Sequence, residues 1–559
     1  MSAIVGEHPA SASEHTVPAS IKQDVQAAQY LETLSTTAAL GTSMLSIKRR
    51  AHFETTKRVI AAAVNERMAI GTLDTSTSRS LVLRAPNLEV ITGDNDTWIK
   101  CDISAEAYVE KDGSRIVGFL RAEDLLQPVL TGSATSEAHE ELDPTVLARI
   151  FCRWRPDLGQ YDGGDKLLHK TCFSQPPLKP IGPDDIPELL SPELTFITVP
   201  RSDLKVAGPF EELIEPLLKS LGVPTKPEVP GHIIVPCFTR QLPSILPLYP
   251  QARRIQSVPD TCRAQISMRS VTFKPELDYP HHIKMSLFVQ ITSGLRLIKP
   301  TGAAFGPTIL KMLPDLLPPD LNLWWFAEPA SITGKQDNYV DAGQISCLVR
   351  RLPEQLADNP EEVLIPGAGI MQKPFNEDRS YMELLFGLDD LKKKQDWFRK
   401  YTVLLLSSIL PPLVKHGLGF ECHLQNVAVR VNATTKEVTG FAIRDFEGTR
   451  VHYPTFLRSG YNLDEIRPGS SNFSDDLSSS WNKVSHSLIQ DHVGPILHVL
   501  GIESHGGWTI VREELERVLD PSGDPEGKAL YDFLAAETMP IPGFMGMRMI
   551  GRYIEVSLQ

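Results

Sequence analysis

A dense group of polar and ionisable side chains surrounds one predicted β-hairpin between Phe420 and Val451. The stretch reads FECHLQNVAVRVNATTKEVTGFAIRDFEGTRV, with apolar residues in its middle and polar residues at both ends. The apolar residues that can pair across the turn NATTKE are Val427, Val429, Val431, Phe441 and Ile443. The same pairing gathers a polar set at the open end of the hairpin: Glu421, His423, Asn426, Asp445 and Glu447.

The residue types at this end of the hairpin suit the binding of a metal and a charged substrate. Mg²⁺ prefers a few hard oxygen ligands, which Asn426 and Asp445 can supply from adjacent strands. His423 can donate a hydrogen bond to an anionic group. Taken singly, a buried histidine with satisfied hydrogen bonds and a capped turn at RDFEG would explain the same residues. The convergence of the whole set favours a functional site.

A second polar group follows the stretch HIKMSLFVQITSGLR. Alternation predicts one strand with Lys284, Ser286, Gln290 and Thr292 on a polar face, interrupted only by Phe288. The apolar face would carry Met285, Leu287, Val289 and Ile291. A half-exposed antiparallel sheet would show the same alternation. At the end of the strand, Thr292, Ser293 and Arg296 offer hydroxyls and a planar guanidinium, which bind carboxylate or phosphate oxygens.

The elements that must position these groups indicate an α+β protein. The 559 residues are enough for two or three packed domains. We predict a disordered leader over 1–20 and an N-terminal domain over 21–190, helical as far as Leu73 and then strand-rich. A proline-rich passage from Phe173 to Leu194, predicted to be irregular, marks its end. A β-rich middle domain would span 191–375 and a mixed C-terminal domain with closing helices 376–559. The helix DWFRKYTVLLLSSIL should end near Pro411 and Pro412.

Composition argues against several functional classes. A net charge of −13 disfavours a nucleic-acid-binding face, which needs clustered Lys and Arg. The longest apolar run, VLLLSSILPPLV, is too short to span a membrane. Seven scattered cysteines without a CxxC pair fit the reduced thiols of a cytoplasmic protein. No P-loop, HExxH or GxSxG motif is present.

The motifs resemble those of the NRPS-independent siderophore synthetases, the aerobactin-synthetase-like family. HIKMSLFVQITSGLR is similar to the K-x-S…I-T-S-x-x-R element of the family, and GLGFECHLQNVAV…RDFEGTRV is similar to its G-x-x-x-E-x-H-x-Q-N…R-D-x-x-G element. SMRSV, Ser267 to Val271, resembles the S-x-R-T element just upstream. The resemblance covers Ser267 to Arg548 and identifies a divergent, fungal-like member. It implies a hand-like architecture of thumb, fingers and palm.

The resemblance also implies an activity. ATP and Mg²⁺ would be used to adenylate a carboxylate of citrate or a related polycarboxylic acid, which an amine or alcohol then attacks to give an amide or ester. No nucleic acid or membrane partner is expected, and a homodimer remains open beside a monomer.

Residue roles follow from the matched motif positions. The catalytic residues would be Lys284, Arg296 and His423. The residues on the ATP side would be Ser267, Arg269, Lys284, Arg296, Glu421, Asn426 and Asp445, with Asn426 and Asp445 also binding the metal. The polycarboxylate would be held by Thr292, Ser293, Arg296 and His423.

Three departures limit the transfer. The H-P-W-Q element of the family has no clear counterpart before Ser267, where VPCFTRQ lies about where it should be. The first 190 residues lack the histidine-rich H-P-x-H-K pattern of the family. In the closing segment, counting back from Met547 and Arg548 places Pro542 where the family carries a lysine that helps to hold the carboxylate substrate. The acid used here is therefore expected to differ from plain citrate, or the nucleophile to be bulkier.

Two other functions stay open on the sequence alone. Asn426 and Asp445 are also typical of kinase-like phosphotransferases, but HLQN offers no carboxylate base near His423. A non-catalytic descendant could bind a carboxylate without turnover. Such a module would not need both cationic and metal-side groups, which favours the synthetase.

Overall fold

The computed structural model describes residues 70–74, 80–85, 88–94, 106–111, 114–119, 172–181, 185–265, 267–291, 294–374, 377–536, 539–542 and 555–558. Contacts divide the chain into two compact units, 1–159 with 542–556, and 160–541 with 557–559. The predicted leader over 1–20 and the helical segment as far as residue 69 lie outside the described residues. The predicted boundaries at 190 and 375 fall inside the second unit and stay predictions.

The first unit contains a five-stranded antiparallel meander. Its strands are β1 (Ile70–Asp74), β2 (Ser80–Ala85), β3 (Leu88–Asp94), β4 (Glu106–Lys111) and β5 (Ser114–Phe119). The strand-rich continuation of this domain is confirmed. The prediction that helix persists to Leu73 is wrong, because β1 pairs with β2 in the register Ile70↔Arg84 and its backbone groups are used in the sheet.

The second unit holds the sheets that carry the polar motifs. A three-stranded sheet contains β7 (Leu194–Pro200), β9 (His232–Phe238) and β10 (Arg253–Val258). A six-stranded antiparallel sheet has the order β11 (Cys262–Ala264), β12 (Ser270–Phe273), β13 (His281–Met285), β18 (Cys347–Arg351), β17 (Ala330–Gly334) and β8 (Leu204–Ala207). A small sheet joins β6 (Cys172–Ser174), β14 (Val289–Ile291) and β15 (Gly294–Leu295).

The remaining strands of the described chain form three smaller sheets, one of which contains the hairpin. A four-stranded sheet has the order β16 (Leu323–Trp325), β22 (Val438–Ile443), β21 (Val427–Asn432) and β19 (Glu362–Pro366). A further sheet contains β20 (Leu418–Gly419), β23 (Arg450–His452) and β24 (Phe473–Ser474). The last described strands are β25 (Met539–Pro542) and β26 (Glu555–Leu558).

Helices lie between and after these strands. The shorter ones are α1 (Ile186–Leu190), α3 (Leu242–Ile245), α5 (Leu313–Leu316), α6 (Tyr339–Gly343), α7 (Gln355–Asp358), α8 (Gly367–Ile370), α9 (Tyr381–Leu385), α11 (Tyr453–Arg458) and α13 (Gly494–Leu500). The longer ones are α2 (Phe210–Ser220), α4 (Pro300–Ile309), α10 (Leu391–His416), α12 (Leu477–Val484), α14 (Gly507–Leu519) and α15 (Pro525–Leu534). A π-helical segment, Ser485–Val493, joins α12 to α13. The α+β class is confirmed, and the thumb, fingers and palm remain a proposal.

Three local predictions need correction. The passage from Phe173 to Leu194 is not wholly irregular, because it contains the end of β6 and helix α1, whose first turn accommodates Pro187. The stretch from His281 is two strands in different sheets, since β13 pairs with β18 and β14 with β6. Between the two strands, the Leu287 amide donates to the Arg296 carbonyl at 3.0 Å, an ordinary hydrogen-bond length. This contact turns the chain out of the first sheet.

Helix α10 continues through the proline pair instead of ending there. It runs to His416 and is closed by Gly417, whose φ of 66° is the left-handed conformation of a C-terminal cap. Ile409, Leu410 and Leu413 are fully or almost fully buried. Burial of such side chains stabilises by about 1.5–3 kcal/mol each, which offsets the backbone hydrogen bonds that the prolines cannot make.

The predicted hairpin is confirmed. Strands β21 and β22 pair antiparallel with Val427 opposite Ile443 and Val429 opposite Phe441. These four side chains are at most 3% exposed and belong to the larger hydrophobic core, together with α10 and the closing helices. The rigid middle of the hairpin thus fixes the position of the polar groups at its open end. Among the described residues, none of the helices is both long and apolar enough to cross a membrane.

Candidate active site

The hairpin brings Asn426 and Asp445 to neighbouring positions. The Arg444 amide donates to the Asn426 carbonyl at 2.9 Å, directly after the last strand pair, Val427 opposite Ile443. On the other side, the Asn426 amide donates to the His423 carbonyl at 2.8 Å and closes a tight turn. The two ends of the polar stretch are therefore tied to each other by backbone hydrogen bonds.

Asp445 has an unusual backbone that aims its side chain. Its φ of 71° and ψ of 73° lie in the left-handed region, which costs an ordinary residue about 1–3 kcal/mol. A single 3₁₀ turn, Phe446–Gly448, follows. Buried Asn472 holds that turn by donating to the carbonyls of Glu447 at 2.9 Å and Thr449 at 2.8 Å. The strained conformation is thus stabilised from outside the motif.

Asp445 faces two cations. Its Oδ1 lies 2.6 Å from Lys284 Nζ and 3.9 Å from Arg350 Nη2. Burial alone would raise the pKa of Asp445, but Lys284 and Arg350 outweigh it and hold that pKa well below the usual carboxyl range. Asp445 is therefore ionised at neutral pH.

Arg350 is fixed by a second carboxylate, Glu328. Arg350 donates to Glu328 Oε1 from Nη2 at 2.7 Å and from Nε at 3.1 Å, and both side chains are 2% exposed. Burial raises the pKa of Glu328, whereas the carboxylates of Glu328 and Asp445 overcome the effect of burial on Arg350 and raise its pKa. Because two guanidinium N–H groups of Arg350 donate to the same oxygen of Glu328, the pair has the geometry of a charge-assisted ion pair. Arg350 is thus charged and shared between Glu328 and Asp445.

Glu421 forms the other side of the site. Lys483 from α12 donates to its Oε1, and Asn426 Nδ2 lies 3.4 Å from its Oε2. His423 Nε2 lies 4.0 Å from the same Oε2. Burial would raise the pKa of Glu421, but Lys483 and His423 outweigh it and lower that pKa. A Cβ on Gly448 would overlap this carboxylate, so the glycine of RDFEG makes room for it.

A chain of polar contacts runs from Arg444, the residue before Asp445. Arg444 donates to the Gln425 carbonyl from Nε and Nη2 and to Gln265 Oε1 at 2.6 Å, and Gln265 Nε2 is 2.9 Å from His282 Nδ1. Burial, with Arg350 as a further cause, lowers the pKa of Arg444 to about 10 and that of His282 to about 3. Arg444 thereby joins the hairpin to the loop before β12.

The structure brings most of the predicted residues together, but with one unexpected feature. The side chain of Lys284 is 0% exposed, so the polar face of β13 points into protein and not into solvent. Arg269 is 11% exposed and donates to the Leu297 carbonyl at 2.8 Å. Ser267 Oγ accepts from the Ser270 amide and shapes the turn before β12. The amide of Arg296 donates to the Val289 carbonyl at 2.8 Å.

Some residues were missed and some cannot be placed. Thr292 and Ser293 lie outside the described residues, as do Met547 and Arg548. Arg350, Glu328 and Lys483 were not predicted, although Arg350 pairs with Asp445, Lys483 pairs with Glu421, and Glu328 holds Arg350. An arginine inside the apolar strand CLVRR was the one available signal for Arg350. Glu328 and Lys483 sit in stretches with no distinguishing pattern.

The residues present fit a magnesium ion. Asp445 Oδ2 and Asn426 Oδ1 are hard oxygens of the kind Mg²⁺ takes from proteins. The described residues contain no group of three or more His, Cys, Asp and Glu side chains placed to hold a metal ion by themselves. A metal here would need further oxygens from substrate or water.

Comparison with known proteins identifies the family. Residues 228–372 match the IucA / IucC family, and residues 395–553 match the model described as ferric iron reductase FhuF-like transporter. The fold resembles the petrobactin biosynthesis protein AsbB of Bacillus anthracis, with a TM-score of 0.71 at 15% identity over 93% of this chain and 98% of that one. It also resembles ATP-bound aerobactin synthetase IucA of Klebsiella pneumoniae, with a TM-score of 0.66 at 13% identity over 90% and 98%.

Two fungal sequences are similar to this chain over most of its length. The synthetase rfs of Rhizopus delemar is 27% identical over 68% of this chain and 61% of its own length. The NRPS-independent siderophore synthetase-like protein ankE of Aspergillus thermomutatus is 35% identical over 90% of this chain and 91% of its own length. At that identity and coverage, the chain belongs to the NRPS-independent siderophore synthetase family.

Proposed function

We propose that this protein is an ATP-dependent ligase that activates a carboxylate of a polycarboxylic acid and joins it to an amine or alcohol. The observation that supports it most directly is the set of cations and carboxylates packed around Asp445 at the open end of the hairpin. Related proteins support the reaction type, since one of them is a D-ornithine–citrate ligase of Staphylococcus aureus, 27% identical over 46% of this chain. Siderophore or related secondary-metabolite synthesis is the proposed context, in the cytoplasm.

In the proposed reaction a carboxylate oxygen of the acid attacks the α-phosphate of ATP and pyrophosphate leaves. The amine or hydroxyl then attacks the acyl adenylate, giving an amide or ester and AMP. Fixed cations stabilise the negative charge that develops on the phosphates, and such donors contribute most when they are held in place beforehand. Arg269 and Arg296 are proposed for that role. Asn426 and Asp445 would hold Mg²⁺, which when bound supplies charge neutralisation for the phosphates.

Arg269 has spare donor capacity for this task. Its Nε is buried without a hydrogen-bond partner among the described residues, while its Nη atoms face Leu297 and Glu447. Lys284 has no spare donor capacity, because its ammonium group is fully buried between Asp445 and Glu447. We propose that Lys284 contributes its charge through these carboxylates.

His423 and Glu421 are proposed to face the acid and the nucleotide. His423 is 26% exposed on its side chain, in contrast to the fully buried Lys284, and can donate to an anionic group that enters from solvent. Thr292 and Ser293 remain proposed acid-binding residues. The lysine-to-proline departure at Pro542 leads us to propose an acid that differs from citrate in shape or charge.

The products distinguish this proposal from the phosphotransferase alternative. Purified protein with Mg²⁺, ATP and a panel of di- and tricarboxylic acids should release AMP and pyrophosphate, and hydroxylamine should trap the activated acid as a hydroxamate. ADP as the sole nucleotide product would support a kinase-like reaction instead. Binding of an acid with no nucleotide turnover under any acid and amine pairing would support the non-catalytic descendant.

A further inference from the structure

Glu447 lies at the centre of the cation cluster, although the motif that surrounds it gives it no role. We propose that Glu447 is a positioning residue that holds Lys284 and Arg269 together at the start of helix α4, so that the ATP site is formed before the nucleotide arrives. This inference rests on the proposed function, because it concerns the affinity of the same site for ATP.

The contacts of Glu447 join three separate elements. Its Oε2 lies 3.1 Å from Lys284 Nζ on β13 and 3.6 Å from Arg269 Nη2 in the loop before β12. Its Oε1 accepts the amide of Lys299 at 3.2 Å, at the first residue before α4. Helix starts attract negative charge, and the first turn of α4 contains no acidic residue of its own. The carboxylate of Glu447 fills that place.

Gly302 restricts the position of the Glu447 side chain. A Cβ at Gly302 would lie 2.6 Å from Glu447 Cγ and 3.0 Å from Cδ, well inside contact distance. The backbone of Glu447 is held as well, since Asn472 donates to its carbonyl at 2.9 Å. Both ends of Glu447 are therefore fixed, which is expected of a positioning group and not of one that swings away.

Positioning is needed because the two cations would not converge unaided. Lys284 and Arg269 have like charges and long side chains whose rotamer freedom is costly to restrict. A carboxylate shared between them offsets both the repulsion and the loss of freedom. Removing its charge should loosen Arg269 most, because Lys284 keeps Asp445 as a partner.

A competing reading makes the opposite prediction. A carboxylate at a helix start, next to a lysine and an arginine, occupies the kind of place that a phosphate group fills. If Glu447 merely competes with ATP for these cations, removing its charge should tighten ATP binding. If Glu447 positions the cations, removing its charge should weaken ATP binding.

The experiment compares three variants with a matched control. Glu447→Gln removes the charge and keeps the shape, Glu447→Asp keeps the charge on a shorter side chain, and Gly302→Ala keeps Glu447 but fills its space. Exposed Glu437, on the same hairpin, gives the control Glu437→Gln. Isothermal titration calorimetry gives the dissociation constant of MgATP, and steady-state pyrophosphate release gives KM for ATP and kcat. Thermal unfolding shows whether each variant folds.

We expect Glu447→Gln and Gly302→Ala to raise both the dissociation constant and KM for ATP at least about tenfold, as for the loss of one charge-assisted hydrogen bond. For Glu447→Asp, both constants should lie between those of these two variants and those of the wild type. For Glu437→Gln, both should stay within about twofold of the wild-type values. An unchanged or tighter MgATP complex in folded Glu447→Gln overturns the inference. If that variant does not fold, Gly302→Ala and Glu447→Asp decide by the same criterion. Wild-type protein that binds no MgATP refutes the proposed function itself, before any variant is compared.

Discussion

Lys284 and Asp445 form an ion pair at 2.6 Å in which the lysine has no exposed side-chain surface. Moving an ammonium into protein is unfavourable unless a carboxylate comes with it. Asp445 is therefore expected to serve both the fold around β13 and the metal binding proposed for it. A substitution at Asp445 should affect both properties, and the two effects can be measured separately.

Asp445→Asn should lower the free energy of unfolding by about 1–3 kcal/mol, because it removes one of two carboxylates from buried Lys284. Turnover should fall at least about a hundredfold, as when one preorganised polar group is lost from a site of developing charge. Urea unfolding and pyrophosphate release measure the two effects. Asp475→Asn is the control, since the Asp475 side chain is 69% exposed in its pair with Arg467. Equal stability of the two variants would contradict the role of Asp445 as the partner of Lys284.

Lys483→Met should let divalent cations bind without nucleotide. In the present structure Lys483 neutralises Glu421 and Lys284 neutralises Asp445, so both carboxylates of the proposed metal site already have a cation. Removing one of these lysines should raise the affinity for Mn²⁺ alone by about tenfold, the equivalent of ~1.4 kcal/mol. Calorimetric titration with Mn²⁺ measures this directly. Lys400→Met, at an exposed lysine of α10, should leave the affinity unchanged. No difference between the two variants would place the metal away from Glu421.

Two glycine-to-alanine changes in helices should have opposite effects on stability. A Cβ at Gly306 in α4 would lie 2.7 Å from Glu328 Oε2, so Gly306→Ala should displace the partner of Arg350 and destabilise by about 1–3 kcal/mol. A Cβ at Gly369 in α8 would meet nothing closer than 4.0 Å, and Gly369→Ala should stabilise by about 0.4–1 kcal/mol. Urea unfolding of both variants provides the comparison. A stabilising Gly306→Ala would mean that Glu328 can move without loss.

His282 should make the protein sensitive to mild acid. Its pKa is lowered to about 3 by burial and by Arg350, Arg444 and His281, whereas in the unfolded chain it is about 6.5. Between these values the unfolded state binds a proton that the folded state does not, so stability is present above about pH 6.5 and is lost as the pH falls toward 3. The slope from this one group is at most about 1.4 kcal/mol per pH unit.

The variant His282→Gln tests this dependence. As the pH is lowered from about 6.5 to about 4, within the range between the two pKa values, its free energy of unfolding should fall less steeply than that of the wild type. Exposed His505→Gln should follow the wild-type curve. Parallel curves for wild type and His282→Gln would show that His282 takes up its proton without cost.

The sequence predicted the parts of the site that depend on local pattern. Strands β21 and β22 follow from alternating valines and a polar turn, and their pairing places Asn426 beside Asp445. The burial of Lys284 could not be predicted, because alternation shows that a face is polar but not whether that face meets solvent or other charges. The break after Met285 depends on long-range backbone hydrogen bonds to Arg296 and Ser346, which leave no local signal.

The same limit applies to the helices and to the partners of the site. Local sequence rules predict that a helix ends near Pro411 and Pro412. Helix α10 nevertheless continues, because Ile409 and Leu413 are buried in the core. Arg350 and Lys483 join the site from other elements and are distant in sequence from the residues they contact. The residue roles came from the family resemblance and not from local pattern.

The pairing of Lys284 with Asp445 spans 161 positions of the chain. During synthesis on the ribosome, β13 emerges long before the carboxylates that neutralise its lysine. Until Asp445 and Glu447 have been made, burying that ammonium is unfavourable, so the six-stranded sheet cannot reach its final packing. Closing so long a loop also slows the search for the native contact. We therefore expect the last step of folding to follow completion of the hairpin, and nascent chains that stop before Asp445 to lack the packed six-stranded sheet as well as the site.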